Sequence, residues 1–72
     1  MQTKFQLGDV TKDIWAGDLV STCEFVADIG EGRMIFYDTT FECFRRVFWE
    51  NKQGNWCLNG WKCASTISEL LK

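Results

Sequence analysis

The side chains in this chain that could do chemistry are four cysteines, ten carboxylates and one adjacent arginine pair, with no histidine to accompany them. A structural zinc site usually needs two closely spaced cysteine pairs, each holding both sulfurs on one turn. Here the cysteines stand at 23, 43, 57 and 63, separated by 20, 14 and 6 residues. That spacing predicts neither a metal site nor a cofactor, and it reads the cysteines as small buried hydrophobes. Cys57 and Cys63 could approach across an Asn59-Gly60 turn, although a reducing cytosol would keep them as thiols. A cysteine or serine nucleophile lacks its neighbouring base. Asp9, Asp13, Asp18 and Glu24 supply carboxylates enough for acid–base work, but a chain of 72 residues leaves little room for a substrate cleft. Gly30-Glu31-Gly32 lacks the third glycine and following helix of a dinucleotide loop. The chain is expected not to be an enzyme.

Arg45-Arg46 is the more informative pair. Phe44 and Phe48 flank it, and Trp49, Lys52 and Trp56 lie close by in sequence. Aromatic platforms beside a basic groove are how single-stranded nucleic acids are held. Adjacent strand residues point to opposite faces, however, so the two arginines cannot serve one groove. The plainer reading pairs one arginine with Glu42 or Glu50 and sends the rings to the core.

The elements that must position these residues centre on Arg33–Trp61. This stretch holds eight of the eleven aromatic residues and the clear turn signal Asn51-Lys52-Gln53-Gly54-Asn55. Before it, Lys4–Val10 reads as a short first strand meeting a Gly-Asp turn. Residues 13–29 fit two periods. Trp15, Leu19, Cys23 and Val26 align on one helical face, whereas Val20, Thr22, Phe25 and Val26 disfavour a helix. The choice is a strand over about 18–28, with a helix over 13–29 as the alternative. Gly30-Glu31-Gly32 then makes a hairpin turn into the strand Met34–Tyr37. Phe41–Glu50 reads as a long, bent strand. One face carries Phe41, Cys43, Arg45, Val47 and Trp49, the other Glu42, Phe44, Arg46, Phe48 and Glu50. Trp56-Cys57-Leu58 follows, with a further turn at Asn59-Gly60. Thr66 and Glu69 form a capping box for a terminal helix of about two turns.

This order predicts one mainly β domain over 1–72: an antiparallel meander or partly closed barrel of four or five strands with a short C-terminal helix. The Phe5-x-Leu7-Gly8-Asp9-Val10 opening and the Val47-x-Trp49 to Gly54-x-Trp56 hairpin resemble the strand pairs of SH3-like barrels, which implies a fold and no particular ligand.

Composition supplies the functional expectation. At 46% hydrophobic and 15% aromatic, the chain has more bulk than a small interior can hold, which invites a partner or a second copy. Residues 1–32 carry six acids against two lysines, and residues 33–72 six bases against four acids. A net charge of −2 suits neither a phosphate binder nor a DNA mimic. No signal peptide or membrane-length apolar run is visible, so a cytoplasmic location is expected.

The resulting expectation is a small non-enzymatic module that binds a host protein or protein–nucleic acid complex through Tyr37, Phe44, Arg46, Phe48, Trp49, Lys52 and Trp56. At least one of its rings should be exposed. In size and lack of catalytic residues the chain looks like the compact inhibitors, anti-CRISPR proteins among them, that phages and mobile elements deploy in the host cytoplasm. The alternatives are a nucleic-acid-binding regulator using the same hairpin, and a homodimer that buries the spare rings.

Overall fold

The computed structural model describes residues 5–17, 19–52 and 54–71, with the backbone only for Lys52 and Trp56. Five strands follow in order: β1 Val10–Ala16, β2 Leu19–Gly30, β3 Arg33–Asp38, β4 Cys43–Lys52 and β5 Asn55–Ala64, with a one-turn helix α1 at Ile67–Leu70. Each strand pairs antiparallel with the next, and β1 closes on β5. An odd number of strands in series leaves the first and last pointing the same way, so the closing pair is parallel. It is short, joining Ile14 to Leu58 and Trp15 to Asn59. The sheet is thus a closed barrel, beyond the partly closed one expected.

Inside sit Ile14, Cys23, Phe25, Met34, Phe36, Val47 and Leu58, with Phe5 and Trp49 packed against them. Phe5 stacks on Phe25 at 5.8 Å between centroids and meets Phe36 edge-on at 5.2 Å. Ile35 and Leu70 are also fully buried but lie outside this cluster. Ile35 points to the outer face of β3, opposite Met34 and Phe36. The helix packs on β5 and β4.

Several expected boundaries move. Residues 5–9 form a turn, and the first strand starts at Val10. Asp9 makes that turn: its carboxylate accepts from the Gln6 N–H at 2.8 Å and its own N–H reaches the Gln6 carbonyl at 2.9 Å. The helix alternative over 13–29 gives way to two strands, as the β-branched run favours. Asn59-Gly60 lies within β5 and is no turn. There Val47 opposes both Gly60 and Trp61, a bulge that bends β5. A Cβ on Gly60 would lie 3.0 Å from Ile14 Cγ2, Val47 Cγ1 and Arg45 Cδ, so any larger residue would have to push these neighbours aside. The expected capping box does not form: Thr66 is the N-cap but makes no side-chain bond to a backbone N–H. Its Oγ1 donates instead to Glu69 Oε1 at 3.0 Å, and the helix has one turn rather than two.

Candidate binding surface

Strand alternation sorts the expected binding residues. Tyr37, Phe44, Arg46 and Phe48 share the outer face of β3 and β4, all half-buried. Tyr37 and Phe44 are direct cross-strand partners and meet edge to face at 5.2 Å. Arg46 stands between Ile35 on β3 and Lys62 on β5, and Phe48 between Arg33 and Asn59. Trp49 does not join them. It is paired with buried Leu58 and packs against the barrel interior, because it shares its face with Val47. The side chains of Lys52 and Trp56 lie outside the described residues. The expected ring exposure is found elsewhere among the described residues: Phe41 is 49% exposed, Trp61 60% and Trp15 36%.

Phe41 and Trp61 both stand beside a buried ion pair. Arg45 Nε donates to Asp38 Oδ2 at 2.6 Å, and Arg45 Nη1 donates to the Gly60 carbonyl at 3.1 Å. Asp38 Oδ1 accepts from the backbone N–H groups of Thr40 and Phe41 at 2.8 and 3.0 Å. The Phe41 ring lies 5.5 Å from the Arg45 guanidinium carbon. Asp38 and Arg45 are hardly accessible to water. Burial alone would raise the Asp38 carboxyl, but the Arg45 hydrogen bond and the two backbone donors outweigh it and hold the group below its ordinary value. The Ser21 hydroxyl adds to this pull, yet it is buried without a hydrogen bond of ordinary geometry, so the other donors dominate. Burial would lower Arg45, and Asp38 more than reverses that, so Arg45 stays charged.

One guanidinium thus ties the β3–β4 turn to the β5 bulge. The sequence suggests an arginine paired with Glu42 or Glu50, whereas the buried pair that forms is Arg45 with Asp38. Its signal was legible in part, because Asp38-Thr39-Thr40 has the composition of a turn closed by an aspartate side chain.

Cys23 and Cys43, beside this centre, are not poised for attack. All four cysteines are free. Burial, reinforced by the Asp38 charge, pushes the Cys23 thiol up to about 12, and burial with the Cys63 thiol beside it pushes Cys43 up as well. A protonated thiol is a poor nucleophile. Among the described residues no three cysteine, aspartate or glutamate side chains come together to hold a metal ion. Cys57 and Cys63, expected to approach across a turn, instead lie along one strand.

A second feature opens where β1 and β5 begin. Beyond the short parallel pair the two strands separate, because a bulge between Thr11 and Ile14 turns the start of β1 toward β2. The gap is a crevice of about 470 Å³ lined by Phe5, Trp15, Trp49 and Leu58, with Thr11, Asp13 and Cys57 as its polar residues.

Among the described residues no helix is long and apolar enough to cross a membrane. The chain matches no protein-family model, no curated protein and no solved structure.

Proposed function

We propose that this chain is a non-enzymatic binding module that works by occupying a surface on another protein. The observation that carries the reading is the exposure of Phe41 and Trp61 on backbone that the Asp38–Arg45 pair fixes from beneath. Interface centres favour tryptophan, tyrosine and arginine, and a few large side chains there dominate affinity. Rings held on an ordered frame lose less freedom on binding than rings on a loose loop. Tyr37 and Phe44, next to the same turn, extend the apolar area, and Arg46 and Lys62 give it a basic margin that suits an acidic partner. The centre of the surface therefore shifts from the Phe48–Trp56 hairpin toward Phe41 and Trp61. A narrower form of the proposal is a steric inhibitor of host machinery, of the anti-CRISPR kind carried by phages and mobile elements. The small size and the lack of a catalytic constellation in the sequence support that form.

The second reading, a nucleic-acid-binding regulator, draws on the alignment of Arg33, Arg46 and Lys62 with Tyr37, Phe44 and Phe48 on one face of the sheet. Basic side chains among aromatic rings are the composition of a single-strand platform.

Two measurements separate these readings. Tagged chain is used to capture partners, with a Phe41→Ser/Trp61→Ser variant alongside, and purified chain is titrated with single-stranded and duplex DNA and RNA at low and high salt. A protein held in defined stoichiometry by the parent chain and lost by the variant is the expected result. Oligonucleotide binding that weakens steeply with salt, with no protein retained, would replace it with the second reading. A solution mass showing a tight dimer, dissociated by the same two changes, would assign the rings to self-association.

A further inference from the structure

The crevice at the β1–β5 seam plays no part in the surface proposed above, and its lining has a definite chemical preference. Three aromatic residues, Phe5, Trp15 and Trp49, line it, and Asp13 supplies a carboxylate. Asp13 belongs to neither ion pair among the described residues, which are Arg33–Glu31 and Arg45–Asp38. Among the described residues its side chain accepts only a long hydrogen bond, 3.5 Å from the Thr11 hydroxyl. The bulge that opens the seam also places Asp13 in the lining, and the Asp13 N–H holds Thr11 Oγ1 at 3.1 Å. Phe5 is fixed by its two ring contacts with Phe25 and Phe36, so its wall is built before any ligand arrives.

We propose that this crevice binds an alkylated ammonium ion, with the cation against the rings of Trp15, Trp49 and Phe5 and Asp13 as its counter-charge. Aromatic faces attract cations through the ring quadrupole, indole most strongly. A carboxylate at the same opening repels anions and adds a Coulombic attraction that water only partly screens. The choice of an alkylated cation follows from the count of acceptors. A bare ammonium carries three N–H donors and would need to replace its hydration with three acceptors. The lining offers one carboxylate and one hydroxyl already engaged with it, whereas methyl groups on nitrogen need ring contact instead. A volume of about 470 Å³ accepts such a head group with part of the chain that bears it.

The proposal stands apart from the protein-binding reading, because neither Phe41 nor Trp61 lines the crevice. Choline and tetramethylammonium are titrated into the unmodified full chain while the four indole N–H resonances are followed by NMR. The expected result is saturable binding in the millimolar range or tighter, with the Trp15 and Trp49 signals shifting and Trp61 unmoved. Dimethylbutanol, the neutral carbon analogue of choline, should bind far more weakly. Asp13→Asn, at an exposed position, should leave the spectrum folded and weaken choline roughly ten-fold, as loss of a nearby counter-charge implies. Equal binding of dimethylbutanol would reduce the crevice to an apolar pocket and overturn the proposal. So would the absence of any saturable shift, or choline affinity unchanged by Asp13→Asn.

Discussion

A carboxylate shut away from water survives as an anion only where donors surround it. Asp38 has three, the Arg45 Nε and the N–H groups of Thr40 and Phe41, and each ties down a segment that bears an exposed ring or leads to one. Buried ion pairs add little net stability, because desolving two charges offsets most of their attraction. Removing one partner is another matter. Asp38→Asn would strand a buried guanidinium and should lower unfolding free energy by about 3–5 kcal/mol, measured by urea denaturation. The pH dependence has a definite sign. A carboxyl whose folded value lies below its ordinary 3.8 contributes stability that is complete above that value and fades as pH falls below it, since the unfolded chain then takes up the proton first. The parent chain should therefore lose stability in that acid window, and Asp38→Asn should show a flatter limb there. Equal slopes would remove Asp38 from the centre of this network. Gly60 is the other residue on which the frame depends. Gly60→Ala should cost about 1–3 kcal/mol by overpacking, because Ile14 and Val47 are fully buried and Arg45 is anchored, leaving none free to move aside.

At the scale of elements, hairpin chemistry decides most of the barrel. Gly30 pairs with Arg33, so Glu31 and Gly32 form the whole β2–β3 loop, with φ of 58° and 77°. A turn with both central residues at positive φ matches the strand twist but suits asparagine better than glutamate at its first position. Glu31→Asn should raise stability by about 0.5–1 kcal/mol by thermal or urea unfolding, since the exposed Glu31–Arg33 pair that it removes contributes little. A loss of stability would mean that the exposed pair matters more than the backbone. The strand over 18–28 and this turn were legible because β-branched residues and paired glycines act locally. The start of β1 was not. The Gly8-Asp9 turn signal was genuine, but the chain uses it to enter the barrel rather than to leave a first strand, and the N–H of Gly8 then reaches the Phe25 carbonyl. Asn59-Gly60 misled for a related reason. A glycine demanded by close packing of three side chains has the same letter as one demanded by a turn.

For the whole molecule, the surplus of rings was readable from composition, and their assignment to surface or interior was not. The interior takes Phe25 and Phe36 and leans on Phe5 and Trp49, while Tyr37, Phe44 and Phe48 are half-buried on the outer face. The most exposed rings among the described residues, Phe41 and Trp61, sit where alternation fails: Phe41 is in a turn before β4, and Trp61 is in the bulge opposite Val47. Period-two reading cannot place residues at such points. The charge division was legible as sequence halves, and folding makes it spatial, with the acid-rich β1–β2 hairpin on one wall and Arg33, Arg46 and Lys62 across β3, β4 and β5 on another. The most direct measurement is site-specific photocrosslinking inside the cell that makes the protein, with benzoylphenylalanine at position 41 or 61, and at the exposed position 24 on β2 as control. The expected result is one protein adduct of the same mass from positions 41 and 61 and none from 24. Adducts from 24 alone, or none from 41 and 61 while partner capture persists, would contradict a binding role for this end of the barrel.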